Sequence, residues 1–383
     1  MPHHTALDGL FDRDHITGVL ADLVRIDSRN PDLATGAPGE AAIAEHCADW
    51  LRRQGVDAWV DEVRPGRCNA VGRVGSGGGP VLALCAHIDT VGIDGMDDAL
   101  EPRIAEGRLH GRGAYDMKSG VAAIMTAMAA LGRRRLRGTV MAALVADEEF
   151  ASIGAADYVA RYPADGCIVT EPSEGRLVLA HKGFAWIEVE THGCAAHGSR
   201  WEDGISAVGR MGRIVAALEA FDRDELRKRT HPLLGPASLH CAMIEGGEGW
   251  STYAAACRLR VERRTLPGES PDRILDEVRA AIAAARETAT VREVLYRPPL
   301  ECPPDSAVAA TVRSATEAIS GAAPADAGVA YWMDAAIFAA AGIDTVDYGP
   351  SGAGAHAADE WVDLDSVVAC ARVLEEAAAR YCA

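Results

Sequence analysis

The run V-L-A-L-C-A at residues 81–86, followed at once by His87-Ile88-Asp89-Thr90-Val91, anchors the reading of this chain. Six apolar residues without alternation suit a central strand covered on both faces. A polar cluster directly after such a strand stands where ligands bind in open α/β sheets, outside the carboxyl ends of the strands. The pairing recurs twice. Thr139–Ala146 is a second apolar run and leads into Asp147-Glu148-Glu149, and Gly166–Val169 is a third and leads into Thr170-Glu171-Pro172.

On either side, helical periodicity alternates with strand-like runs. Asp12–Ile26 and Glu40–Gln54 carry apolar residues at helical spacing, Ala58–Val63 and Cys68–Val74 read as strands, and Met117–Leu131 reads as a buried helix. This βαβ alternation predicts a largely parallel sheet with helices on both sides. The texture changes after Pro172. Alternating strands in Leu177–Thr191 and Ala237–Val261, with helices at Gly204–Phe221 and Asp272–Thr288, predict an α+β layer with an antiparallel sheet. Beyond Arg297–Pro304 the first pattern returns, with helices at Ser306–Ile319, Met333–Ala340 and Asp363–Tyr381 and a strand at Asp344–Tyr348. The expected fold class is α/β: one domain from residues 1–179 and 294–383, with a smaller α+β domain inserted at 180–293.

The chain has 383 residues, with 38 Lys+Arg against 56 Asp+Glu, a formal net charge of −18. That acidic excess argues against nucleic acid or an anionic membrane as partner, because phosphate is held by clustered Lys and Arg. The one basic run, Arg133, Arg134, Arg135 and Arg137, reads as a solvated helix end. The longest uncharged apolar stretch, Gly120–Gly132, falls short of the ~18–20 residues a membrane span needs. The opening MPHHTALDGLFDRDH has no apolar core of a secretory signal. Ten cysteines without a C-x-x-C pair read as reduced, mostly buried thiols, and a cytoplasmic location is expected.

Near the end of the chain, His356 and the pair Asp359-Glu360 follow Gly349-Pro350, and Asp116 precedes the buried helix. Two histidines and three or more carboxylates at strand ends form a mixed N/O set suited to zinc-type divalent ions. Two ions need about that many ligands, with one carboxylate bridging and a position left open for water.

In seven motifs the sequence resembles the dinuclear-zinc amidohydrolases and peptidases that include acetylornithine deacetylase, succinyl-diaminopimelate desuccinylase, aminoacylase-1 and carboxypeptidase G. The motifs run in that family's order over essentially the whole chain. They are A-H-I-D-T-V (86–91), G-R-G-A-Y-D-M-K-S-G (111–120), D-E-E-F-A-S-I-G (147–154), T-E-P (170–172), G-C-A-A-H-G-S (193–199), R-T-L-P-G-E (264–269) and G-P-S-G-A-G-A-H-A-A-D-E (349–360). The resemblance implies that His87 and Glu171 each bind one zinc, Glu149 and His356 the other, and that Asp116 bridges them. Cobalt or manganese are the expected substitutes. Asp89 lies two residues beyond His87 and is expected to fix its ring tautomer as a hydrogen-bond acceptor. Glu148 is implied as the general base, taking a proton from the metal-bound water and handing it to the leaving amine.

The same resemblance makes the inserted domain a lid and dimerisation domain of a homodimer. It assigns His197 as donor to the developing oxyanion and Arg264 as the grip on a substrate carboxylate. One departure stands out. Relatives usually place an Asn and a Pro a few residues after the Gly-Gly of the lid, whereas Gly246-Gly247 is followed here by E-G-W-S-T-Y-A. Ser251 stands near the Asn position and is the expected substrate-binding substitute. Trp250, Tyr253 and Trp332 either reshape the pocket or serve as packing aromatics. The implied activity is hydrolysis of the amide of an N-acylated amino acid or similar small N-acyl amine, nearest the acetylornithine deacetylase branch. A dipeptidase or carboxypeptidase of the same family is the enzymatic alternative. A non-catalytic binding protein on the same fold is the alternative from another class, and the presence of all five ligands and Glu148 weighs against it.

Overall fold

The computed structural model describes residues 9–75 and 77–383. The chain divides into two compact units. The first holds the described residues up to Leu179 together with Cys302–Ala327 and Met333–Ala383, and the second holds Ala180–Glu301 with Gly328–Trp332.

In the first unit, strands β1 (Asp57–Arg64) and β2 (Arg67–Gly75) form a hairpin turned at Gly66, whose φ of 76° suits glycine. The sheet continues through β3 (Val81–His87), β4 (Thr139–Val145), β5 (Gly166–Val169), β6 (Leu177–His181) and the late strand β11 (Asp344–Asp347). These strands lie in the order β1-β2-β4-β3-β5-β11-β6, and the short strands Leu300–Glu301 and Asp326–Val329 add to β6. The run β4-β3-β5-β11 is parallel, as the apolar strands imply, while β2 meets β4 and β6 meets β11 antiparallel. The sheet as a whole is therefore mixed, with its parallel part at the centre.

Helices α1 (Arg13–Arg25), α2 (Ala41–Arg53), α3 (Lys118–Leu131), α7 (Ala307–Ser320) and α9 (Leu364–Tyr381) pack in one large apolar core against the sheet. Every residue of α3 is buried, and its small side chains let it lie close to β3 and to α9. Each large aliphatic side chain so covered contributes about 1.5–3 kcal/mol. The short helices α4 (Ile153–Arg161) and α8 (Ala335–Ala340) cover the other face and meet through Tyr158 and Phe338, ring centroids 5.7 Å apart. Strands of two or three residues, at 103–105, 108–110, 352–353 and 361–363, make a small antiparallel sheet too short to leave a sequence pattern.

The second unit is a four-stranded antiparallel sheet in the order β8-β9-β7-β10, formed by β7 (Gly183–His192), β8 (Ser238–Gly246), β9 (Ala256–Thr265) and β10 (Thr290–Arg297). Along β9, Cys257, Leu259 and Val261 face the core, and along β7 Ile187 and Val189 do so. They pack on α5 (Ala207–Asp224) and α6 (Pro271–Ala284) through Met211, Ile214, Leu218, Ile274, Val278 and Ile282. The expected boundary at residue 293 falls inside β10, which pairs with β7 and belongs with this sheet. Polar residues between Thr290 and Glu293 hid that strand from the apolar pattern.

Candidate metal centre

The strand ends of the first unit gather the ionisable side chains. His87 is the last residue of β3 and is buried. Its Nδ1 lies 3.0 Å from the Asp89 main-chain carbonyl and 3.5 Å from Asp89 Oδ1, so the ring's closer partner is the backbone and not the carboxylate. Its Nε2 lies 3.1 Å from Asp116 Oδ1 and 3.6 Å from Glu171 Oε1. The second Asp116 oxygen is 3.3 Å from His356 Nε2, which also stands 3.0 Å from Glu149 Oε2. Asp116 thus turns one oxygen to each histidine.

Ligand-type atoms of His87, Glu148 and Glu171 lie within 4.8 Å of one another, as do those of His87, Asp116 and Glu149. Burial pushes the carboxyls of Glu148, Glu149 and Glu171 above the usual carboxylate range, and crowding by neighbouring acids adds to it. His356 is held protonated up to about 10 by its contacts with Asp116 and Glu149. For His87, burial works against the proton, but Glu171, Asp116 and Asp89 outweigh it and raise the ring well above the usual histidine range. A field that holds protons on two imidazoles amid packed carboxylates also favours a divalent cation among them. The donor set of imidazole nitrogen and carboxylate oxygen fits zinc-type ions.

Two further residues set this geometry. Glu360 is fully buried and accepts the N–H groups of Gly113, Tyr115 and Asp116 at 2.9–3.0 Å, with Arg112 Nη1 at 2.7 Å. It therefore holds the loop carrying Asp116 from below. Gly113 in that loop has φ 76°, and a Cβ there would sit 2.7 Å from Thr90 Cγ2. Arg67 on β2 spans Glu40 (2.7 and 2.8 Å), Asp32 (2.7 Å) and Asp147 (2.6 Å). It anchors the turn at Asp147, whose φ of 72° is uncommon for a residue other than glycine. Arg67 and Glu40 leave no sign of this role in the sequence, since one arginine on a strand gives no signal of its partners. Glu360 stood within the last motif, but without a role.

The remaining expected site residues belong to the second unit. His197 and Ser251 are exposed on adjoining loops, joined by the Gly198 N–H to the Ser251 carbonyl at 2.7 Å. The His197 ring is 2.8 Å from Ser199 Oγ. Arg264, on β9, pairs with Glu262 at 2.8 Å and lies over the Phe184 ring at 5.2 Å. Trp332 donates to the Pro298 carbonyl and meets Phe184 edge-on, while Tyr253 packs under Gly204. Trp250 is fully exposed.

A sheet with a parallel centre, ending in a cluster of histidines and carboxylates, offers a site of the kind that metal-dependent hydrolases of α/β type use. The family model of peptidase family M20/M25/M40 matches residues 83–380, and the chain belongs to that family. An acetylornithine deacetylase of Myxococcus xanthus is 33% identical over 326 residues, covering 80% of this chain and 82% of the relative. Among solved structures, an aminopeptidase PepT from Bacillus cereus superposes with a TM-score of 0.80 at 19% identity, over 96% of this chain and 98% of its own. An M20 family metallo-carboxypeptidase from Sulfolobus solfataricus does so at 0.75 and 18% identity, over 96% and 99%. No helix among the described residues is long and apolar enough to cross a membrane.

Proposed function

We propose that this protein is a metal-dependent amidohydrolase that removes the acyl group from an N-acylated amino acid or similar small N-acyl amine, in the manner of a deacetylase. The observation that carries the reading is the Asp116 carboxylate, with one oxygen toward His87 and the other toward His356, while Glu148 lies within 4.8 Å of His87 and Glu171. In this reading His87 and Glu171 would hold one cation and Glu149 and His356 the other, with Asp116 a ligand available to both. Two zinc ions, or cobalt or manganese in their place, would supply the Lewis acidity that activates water and polarises the amide carbonyl.

Glu148 then takes the proton from water and delivers it to the departing amine. Its carboxylate lies within 4.8 Å of the ligand-type atoms of His87 and Glu171, within reach of a water held there. Arg264 offers a guanidinium fork for a carboxylate, Ser251 a hydroxyl for the substrate, and His197 a donor for the developing oxyanion. The deacetylase relative at 33% identity supports the acyl-amine branch.

The test compares wild type with Glu148→Gln on N-acetyl and N-succinyl amino acids and dipeptides, with metal content measured alongside. The expected outcome is turnover of one acyl class by wild type, and a loss of ~10²–10⁴-fold in the variant with both metals retained. Turnover of dipeptides alone would move the assignment to a peptidase, and full activity in Glu148→Gln would remove Glu148 from the mechanism.

A further inference from the structure

Asn30 lies outside every motif quoted above, yet its side chain joins the two loops that carry the cluster. The chain there runs beside Thr90. The Thr90 N–H donates to the Ser28 carbonyl at 3.1 Å, and the Asn30 N–H donates to the Thr90 carbonyl at 2.8 Å. Asn30 Oδ1 accepts the Asp32 N–H at 3.0 Å, which fixes which end of the amide is which. Its Nδ2 therefore presents both hydrogens inward, one to Asp89 Oδ2 and one to Asp147 Oδ1, each at 2.8 Å.

Both carboxylates are almost wholly buried, at 0% and 1% exposed, and Asn30 is 0% exposed. Asp89 has further duties. It accepts the backbone N–H of Glu148 at 3.1 Å and of Glu149 at 3.3 Å, and it faces the His87 ring. Asp147 is the residue immediately before Glu148 and is gripped from its other side by Arg67. One amide thus sets the spacing between the loop after β3 and the turn after β4. Without it, two buried acids would face each other with a donor fewer apiece, and repulsion would turn at least one of them.

We propose that Asn30 is a positioning residue of the metal centre. It fixes Asp89 and Asp147, and through them His87 and the Glu148-Glu149 pair, in the orientation that divalent cations need. This rests on reading the cluster as a metal site, and needs no particular substrate. Residues that orient metal ligands from behind typically change affinity by 10–100-fold when removed.

Two substitutions test it. Asn30→Asp keeps the shape and turns the donor into a third acid, while Asn30→Ala removes the group. Zn²⁺ affinity is measured by chelator competition on the full chain, together with the melting temperature, and with kcat and KM on whichever acyl amine wild type accepts. The expected result is 10–100-fold weaker binding of at least one Zn²⁺ in both variants. A fall in kcat of the same order should accompany it, with KM within about threefold of wild type. Asn30→Ser, which returns one donor, should recover part of the affinity, and it stands in for either variant that does not fold.

Wild-type affinity for both ions in the folded variants would overturn the proposal. So would a lower melting temperature with unchanged affinities, which would make Asn30 a purely structural residue. The Zn²⁺ titration is read without substrate. A wild type inactive on every acyl amine would therefore count against the proposed function, while the titration alone would decide the role of Asn30.

Discussion

Arg67 shows how much one side chain carries behind the cluster. Its guanidinium reaches Glu40, Asp32 and Asp147, and Glu40 and Asp147 are 0% and 1% exposed. Removing one partner from such a buried network strands the others' charge, at a cost of roughly 3–5 kcal/mol. Arg67→Met keeps most of the side-chain bulk and deletes the charge. It should lower the unfolding free energy by about that amount, read from the urea midpoint with the slope unchanged. A loss under ~1 kcal/mol would mean that Glu40 and Asp147 find other donors. His87, Glu149 and Glu171 were legible from sequence because they stand at or just after the ends of apolar strands, and Asp116 and His356 because they lie within the resembling motifs. Asn30, Arg67, Glu40 and Glu360 were not, because each acts on partners between 27 and 248 positions away.

At the scale of elements, helix glycines in the first unit separate two effects that sequence alone treats alike. Gly18, inside α1, is exposed, and a Cβ there meets nothing within 4 Å. Gly120, in the first turns of α3, faces Thr170, and a Cβ there would stand 2.4 Å from its Oγ1 and 2.6 Å from its carbonyl oxygen. Gly18→Ala should therefore stabilise by about 0.5–1 kcal/mol, through helix propensity alone. Gly120→Ala should cost about 1–3 kcal/mol from overpacking, and it should press on the segment that leads to Glu171. Calorimetric melting of the two variants should move in opposite directions. An upward shift for both would show that the contact between α3 and Thr170 relaxes at little cost, and a downward shift for both would remove the propensity gain at Gly18.

At the scale of the whole molecule, the ten cysteines report on packing. Cys194 is exposed, Cys241 is half-buried and the other eight are buried. Burial pushes the Cys47 thiol up to about 12 and the Cys241 and Cys382 thiols up to about 11, and it raises Cys85 and Cys167 well above the usual thiol range. A thiol reacts as its thiolate, so these groups are shielded by access and by charge state together. At pH 8 a thiol reagent should modify Cys194 quickly and Cys241 slowly, with the rest reacting only after urea unfolding. Mapping by mass spectrometry checks it, and rapid loss of Cys47 or Cys167 would place those elements in a loosely packed part of the fold.

The order of elements, the parallel centre of the sheet and the ionisable residues at its strand ends were all determined by the sequence itself. Continuous apolar runs identify doubly covered strands, and chain order with short connections leaves few ways to assemble them. Tertiary structure decided the rest. The antiparallel flanks of the sheet, the strand across residue 293 and the brief strands of the small sheet depend on pairing between distant segments, which local patterns do not record. So does the network behind the cluster: an amide, a guanidinium and a buried glutamate gain their roles only when folding brings the charges they must satisfy within about 3 Å.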